Sequence, residues 1–400
     1  ATEYGIYTSL NAGGNWQKLP GSPTISFRDI VIQERENDLV GASFGRGFFV
    51  LDDYSALREM TPDNLSKKGK LFKPRDAKLF KPRNSLGNTG GQFYTAKNPE
   101  YGAVFTYNLN NVPKTSKSLR MQREKRLNAD NMDIPFPGYD KLTDEMNEKP
   151  ASIILTIKDT EGNHIRNIKK NASNGSSRIA WNLRHQSYYP IRAGRGQANS
   201  WFNPSGPYVT PGEYHAEIYL ENNGSVEKLD GPIAFNVKPL RKGTLQGASY
   251  SDYNSFRTRV SNLYISMSKY QDEFNMMKSK IDLLDKASLQ LETFSPEIMK
   301  KISDFKAKYN AFDSEIGSNP ARDEIGEWDK PTISMRVQIA MQGLSTSYGP
   351  TDLNKSNLDI AERLFEKLAS DVKEFKSELE SLENDVKELN PPHLSGSGIN

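Results

Sequence analysis

At 400 residues the chain is too long for one ordinary hydrophobic core, so two or three domains are expected. Its 53 basic and 50 acidic residues leave a net charge of +3, a near balance that gives no global argument for a nucleic-acid or membrane partner. The lack of cysteine excludes disulfides, thiolate metal sites and a cysteine nucleophile, and no apolar run approaches the roughly eighteen residues of a membrane-spanning helix.

Residues 4–53 read as part of a β-propeller that begins outside this chain. Ser9, Asn11, Gly13 and Trp16 fall at the Ser/Thr-x-Asp/Asn-x-Gly-x-x-Trp spacing of an Asp-box. That spacing predicts a hairpin loop in which the Asn11 side chain bonds local backbone, the glycines supply positive φ and Trp16 packs under the turn. Apolar runs at 30–32, 39–44 and 47–51 follow, separated by turn segments at 34–38 and 45–46, which amounts to one blade with part of its neighbour.

The order of this box and the following RDIVIQERENDLVGASFGRGFFVLDDYSALR resembles the closing blades of bacterial Asp-box (BNR-repeat) propellers of the sortilin-like, glycosyl hydrolase type. The resemblance implies an extracytoplasmic location, whether secreted, periplasmic or at the cell surface. It also implies partners: the remaining propeller blades of the same parent, and a cell-surface or secretion-system protein or a glycan. Residues 1–60 are the closing blades on this reading, and a chain that starts in mid-blade is expected to have a true N-terminus that is missing or processed.

Residues 61–100 form a basic connector in which Leu-Phe-Lys-Pro-Arg occurs at 71–75 and again at 79–83. The prolines keep it extended. Its lysines and arginines suit either contact with a phosphate or acidic surface, or a connector that lays Leu71, Phe72, Leu79 and Phe80 on a neighbouring domain while the charges stay in water.

Residues 101–240 show short strands with turn punctuation at 103–109, 153–159, 164–168, 178–183, 206–220 and 233–237. They predict a small β-sandwich with Trp181 in its core. The order ends in Val209-Thr210-Pro211-Gly212-Glu213-Tyr214 and resembles the Ig-like domain of flagellar hook-cap proteins. An insertion at 113–149 carries a basic run from Lys117 to Arg126 and an Asn/Asp cluster that lacks the EF-hand pattern, so an exposed, mobile insertion is expected. In the loop at 184–205, Tyr188, Tyr189, Trp201 and Phe202 stand beside Arg192 and Arg195. This is the candidate ligand or interface loop, since aromatic platforms flanked by polar groups hold sugars and peptides, while docking on a neighbouring domain is the alternative.

From residue 251 the apolar period changes from 2 to about 3.5. Phe256, Val260, Leu263, Met267, Tyr270 and Phe274 open the first seam, and three further seams follow behind the capping residues Ser295, Thr332 and Thr351. Residues 250–390 therefore predict an antiparallel four-helix bundle, with 391–400 as a tail. The fold class expected is multidomain, β then α: terminal propeller blades, an Ig-like β-sandwich and the C-terminal bundle.

Chemistry is sparse. No bundle seam carries the carboxylate and Glu-x-x-His set of a di-iron site, and His164, His185, His215 and His393 are scattered, so neither metal nor cofactor is expected. G-x-S-x-G, P-loop and H-E-x-x-H motifs are absent from the sequence. Asp52 and Asp53 are the paired carboxylates nearest a cleft, but neighbours on a strand point to opposite faces. No catalytic residue is assigned. Sialidases share only the Asp-box with this chain. Two functions stay open: a non-catalytic binding or scaffold component for protein, peptide or glycan, and the accessory half of a sialidase-like glycoside hydrolase whose active site lies in blades absent from this chain.

Overall fold

The structure, a computed structural model, describes residues 1–82, 96, 98–191, 206–241, 243–317, 319–327 and 330–392. It divides into two compact units, one comprising Ala1–Gln186 with Val209–Lys242 and the other Ser187–Tyr208 with Gly243–Asn400. The N-terminal part is rich in strands and the C-terminal part is helical.

In the first unit, β1 (Tyr7–Thr8) and β2 (Gln17–Lys18) form a short hairpin, and β3 (Phe27–Gln33), β4 (Asp38–Ser43) and β5 (Phe48–Leu51) an antiparallel meander. Ile6, Leu19 and Phe27 make a small buried cluster against which Ile30, Leu39 and Leu51 pack. A 3-10 turn at Ser55–Glu59 and α1 (Pro62–Ser66) lead into β6 (Gly69–Leu71) and β7 (Ala77–Leu79). Thr61 caps α1, its hydroxyl accepting from the Asn64 amide, with proline in the first turn.

A larger core draws on β6, β7 and the strands that follow, beginning with β8 (Ala103–Leu109). Helices α2 (Ser116–Ala129) and α3 (Tyr139–Asn147) are followed by β9 (Ser152–Asp159), β10 (His164–Asn171), β11 (Gly175–Trp181), β12 (Gly212–Asn222) and β13 (Ser225–Pro239). One sheet runs β10-β9-β12-β13-β7 and the other β11-β8-β6, and residues from both enclose a single core. All pairings are antiparallel except that of β7 with β13. Trp181, Tyr107, Phe105 and Phe235 are fully buried, and the Trp181 indole donates to the Arg184 carbonyl at 2.9 Å, which satisfies its one polar atom.

The exposed insertion, for which no element was expected, folds into α2 and α3, begun by the Thr115 hydroxyl accepting from the Ser118 amide. The last two strands are shifted: the one expected at 206–220 starts at Gly212, and the one at 233–237 is the middle of a strand that starts at Ser225. Asn223 and Gly224, both at positive φ, make the tight turn that joins them.

The second unit contains α4 (Tyr250–Ser288), α5 (Pro296–Ile316), the short α6 (Pro320–Glu324), α7 (Ile333–Gln342) and α8 (Asp352–Lys387). The 3.5-residue period lays Val260, Phe274 and Ile281 of α4 against Leu368, Phe375 and Leu379 of α8 in one core shared with α5 and α7. Phe274 stacks on Tyr309 with centroids 4.0 Å apart, and Phe375 meets Phe305 and Phe312. Ser249, Ser295, Thr332 and Thr351 each accept from a first-turn amide, and Asn354 returns the bond to the Thr351 amide.

Candidate functional site

The loop at residues 9–16 is held by side chains bonded to its own backbone. The Ser9 hydroxyl accepts from the Gly13 amide at 2.7 Å and donates to Asn11 Oδ1 at 3.0 Å; the same oxygen accepts from the Asn15 amide at 2.8 Å. Gly13 has φ +93°, but the second left-handed residue is Ala12, at +53°, and not Gly14. Gly14 is needed for space, because a Cβ there would lie 2.9 Å from the Asn11 amide group. Trp16 departs from expectation more sharply: it is 64% exposed, lying beside Gly13 without packing under the turn. Strands of two residues are too short to bring a layer beneath the loop. Ser9, Asn11, Gly13 and Trp16 thus form a self-contained turn, with no titratable group among them.

Asp52 and Asp53 end β5 as a backbone feature. Asp53 takes φ +44°, its carboxylate accepts from the Ser55 hydroxyl at 2.6 Å and the Ser55 amide at 3.2 Å, and Arg178 donates to both aspartate carbonyls at 2.7 and 2.8 Å. A carboxylate that closes a turn in this way is not placed across a cleft from a second one.

The basic connector is largely paired within its own unit. Lys70 meets Asp230 at 2.9 Å, Lys68 pairs with Glu227, Lys78 with Glu36, and Arg75 reaches Glu36 and Asp38 at 3.5 Å. Leu71 and Phe72 are buried, Leu79 half-buried and Phe80 exposed.

Of the candidate loop, Tyr188 and Tyr189 are described; Arg192, Arg195, Trp201 and Phe202 lie outside the described residues. The two tyrosine rings stack at 5.2 Å and both meet Tyr264 of α4, at 5.3 and 4.7 Å. Burial pushes both hydroxyls above the ordinary tyrosine range.

Sequence reasoning missed the charge network around Glu217. Its carboxylate accepts from Lys158 at 2.8 Å, Lys228 at 2.6 Å and the Tyr219 hydroxyl at 2.8 Å. Burial alone would raise this pKa, but the three hydrogen bonds outweigh it and hold the group at about 2. The only sequence signal was a glutamate at a polar-face position of β12; that Lys158 and Lys228 flank it follows from register, which the sequence does not display.

The meander's outer face is an exposed apolar surface of the first unit. Register puts Val31, Val40 and Val50 in one row and Asp29, Ala42 and Phe48 in the next on the same face. Val31, Val50 and Phe48 are 56%, 54% and 76% exposed. The opposite face carries Ile30, Leu39 and Leu51 against the small cluster, so this sheet is apolar on both sides yet covered on one.

Among the described residues, no group of three or more histidine and carboxylate side chains is placed to hold a metal ion. No described helix is long and apolar enough to cross a membrane. An open polar cleft of about 530 Å³ is lined by Asp144, Glu148, Lys149 and Glu221, among others, and is occupied at its rim by the bond from the Ser116 amide to Glu148. Compared with protein-family models, curated proteins and solved structures, the chain matches none.

Proposed function

We propose that this chain is the non-catalytic binding or scaffold portion of an extracytoplasmic, sortilin-like Asp-box propeller protein. In this reading β1–β5 are propeller strands, the two-sheet domain is Ig-like, and α4, α5, α7 and α8 form a four-helix bundle. The observation that carries it is the two-sided apolarity of the β3–β5 sheet. A strand run hydrophobic on both faces belongs between two layers, and among the described residues a layer packs against only one of them. A propeller blade is sandwiched in this way between its neighbours, and the Asp-box loop one hairpin earlier supports the same architecture.

The test is amide exchange and dye binding on residues 1–400. Weak protection across β3–β5 is expected, with anilinonaphthalene sulfonate fluorescence that Phe48→Ser with Val50→Ser abolishes. A parent protein carrying further blades should protect the same amides strongly. Full protection of β3–β5 in the 400-residue chain, without dye binding, would remove the basis for the proposal.

A further inference from the structure

Between Glu161 and Glu213 the sequence contains no aspartate or glutamate. The described residues of this stretch include β10 and β11, which are the end strands of the two sheets. The two edges meet along one side of the sandwich. Lys170 of β10 donates to the Arg178 carbonyl of β11 at 2.7 Å, the Gln186 amide to the Ile165 carbonyl at 2.8 Å, and Arg166 to the His185 carbonyl at 3.0 Å. Register pairs Arg166 with Ile157 and Lys170 with Ile153, so both cations lie on the core-side face of β10, at the open margin of the core, while Lys169 lies on the opposite face.

Several cations elsewhere in this unit meet carboxylates: Lys70 with Asp230, Lys158 and Lys228 with Glu217, and Lys169 with Glu221. Those along this side do not. Among the described residues, Arg166, Lys170 and Arg178 bond only main-chain carbonyls. A basic edge strand ordinarily keeps its charges in water, where they deter pairing with another sheet. Arg166 does not fit that role. It is half-buried, its Nε is buried without a hydrogen-bond partner, and burial, followed by the charge of the neighbouring Arg184, lowers its pKa. A guanidinium placed in this way is stabilised by an anion from outside the chain, which the arginine fork holds through two oxygens.

Strand rise sets Arg166 and Lys170 about 13 Å apart along β10, a spacing that suits successive charged groups of one chain better than a single ion. Asn171, Ser173, Asn174 and Ser176 are exposed on the same stretch and offer donors and acceptors for sugar hydroxyls. Trp181, the one Phe, Tyr or Trp of the two strands, is fully buried, so β10 and β11 present no stacking platform for nucleic-acid bases.

We propose that the side of the sandwich between β10 and β11 binds an acidic glycan chain, with Arg166 and Arg184 on one charged group and Lys170 on the next. No strand of β1–β5 takes part, so the outcome is independent of the propeller reading. The experiment is fluorescence anisotropy on the full chain with three labelled hexasaccharides: a heparin fragment carrying sulfates, an oligogalacturonate carrying carboxylates alone, and an uncharged maltohexaose. Salt-dependent binding of at least one acidic probe is expected, and the tighter of the two identifies the anionic group. Arg166→Gln should weaken that binding about tenfold and Lys170→Gln about threefold, whereas Lys169→Gln, which removes the same charge from the opposite face, should stay within about twofold. Lys169 and Lys170 are both exposed, so their contrast decides the matter even where Arg166→Gln impairs folding. Binding of neither acidic probe, equal binding of maltohexaose, or equal losses in Lys169→Gln and Lys170→Gln would overturn the proposal, as would tighter binding of a single-stranded oligonucleotide.

Discussion

Gly102 takes φ +109°, and a Cβ there would lie 1.9 Å from the Trp181 carbonyl oxygen, which is backbone and has no room to yield. Gly102→Ala should therefore lower stability by more than about 3 kcal/mol, by strain and overlap together. Gly162 has φ +85° but nothing within 4 Å of the same position, so Gly162→Ala should cost only about 1 kcal/mol, through backbone strain alone. Urea midpoints of the two variants check the contrast, and similar losses would mean that β8 and β11 are looser than their register indicates. Glu217 makes a second residue-scale case. Its folded pKa of about 2 lies below the ordinary 4.5, so its network contributes fully above that ordinary value, and the contribution is lost as pH falls from about 4.5 toward 2. Since Lys158 and Lys228 are partly exposed, that contribution is on the order of 1–3 kcal/mol after solvent screening. Melting followed from pH 6 to pH 2 should fall less steeply in Glu217→Gln than in the wild type; parallel curves would exclude this group as a source of acid sensitivity.

At the scale of elements, the helical core offers the sharpest contrast between positions. Phe274 is fully buried against Tyr309, so Phe274→Ala should cost roughly 3–5 kcal/mol, whereas the exposed Lys373→Gln should stay within about 0.5 kcal/mol. Thermal denaturation of the two variants measures this directly, and equal shifts would contradict the packing of α4 on α5. These helices were legible in advance because a 3.5-residue apolar period and Ser or Thr caps are local signals carried by the residues that use them. The strands of residues 27–51 were legible for the same reason, through apolar runs broken by turn residues. Helices α2 and α3 were not, because their inward faces mix Arg120, Glu124 and Glu145 with only Leu127 and Leu142, too few apolar positions to show a period. The Trp16 position was misjudged because the spacing of the box specifies the turn and says nothing about what lies beneath it. At the candidate loop, the pairing of Tyr188 and Tyr189 with Tyr264 joins residues about 75 positions apart, which no motif records.

At the scale of the whole molecule, the question is whether the described residues assemble any chemistry. Glycoside hydrolysis requires an acid of raised pKa and an ionised partner facing it across a cleft. The most perturbed carboxylate here, Glu217, is shifted the opposite way and is bound by two lysines and a tyrosine in a sheet. Asp53 is engaged with Ser55 in a turn, and the polar cleft near α3 opens to water with Glu148 already accepting from a backbone amide. Residues 1–400 should therefore show no turnover of aryl glycosides, including a sialoside, above the buffer rate. Asp52→Asn and Asp53→Asn serve as the paired controls. Turnover that either substitution abolished would place a catalytic carboxylate at the end of β5 and reverse the non-catalytic reading. Binding belongs to the same experiment: a glycan and peptide panel, run with Tyr189→Ala, separates a ligand platform from internal packing. If the tyrosines serve to dock the loop on α4, Tyr189→Ala should lower the melting temperature by several degrees, since it removes the contacts with Tyr188 and Tyr264. If they serve a ligand, binding should fall at least tenfold while the melting temperature holds.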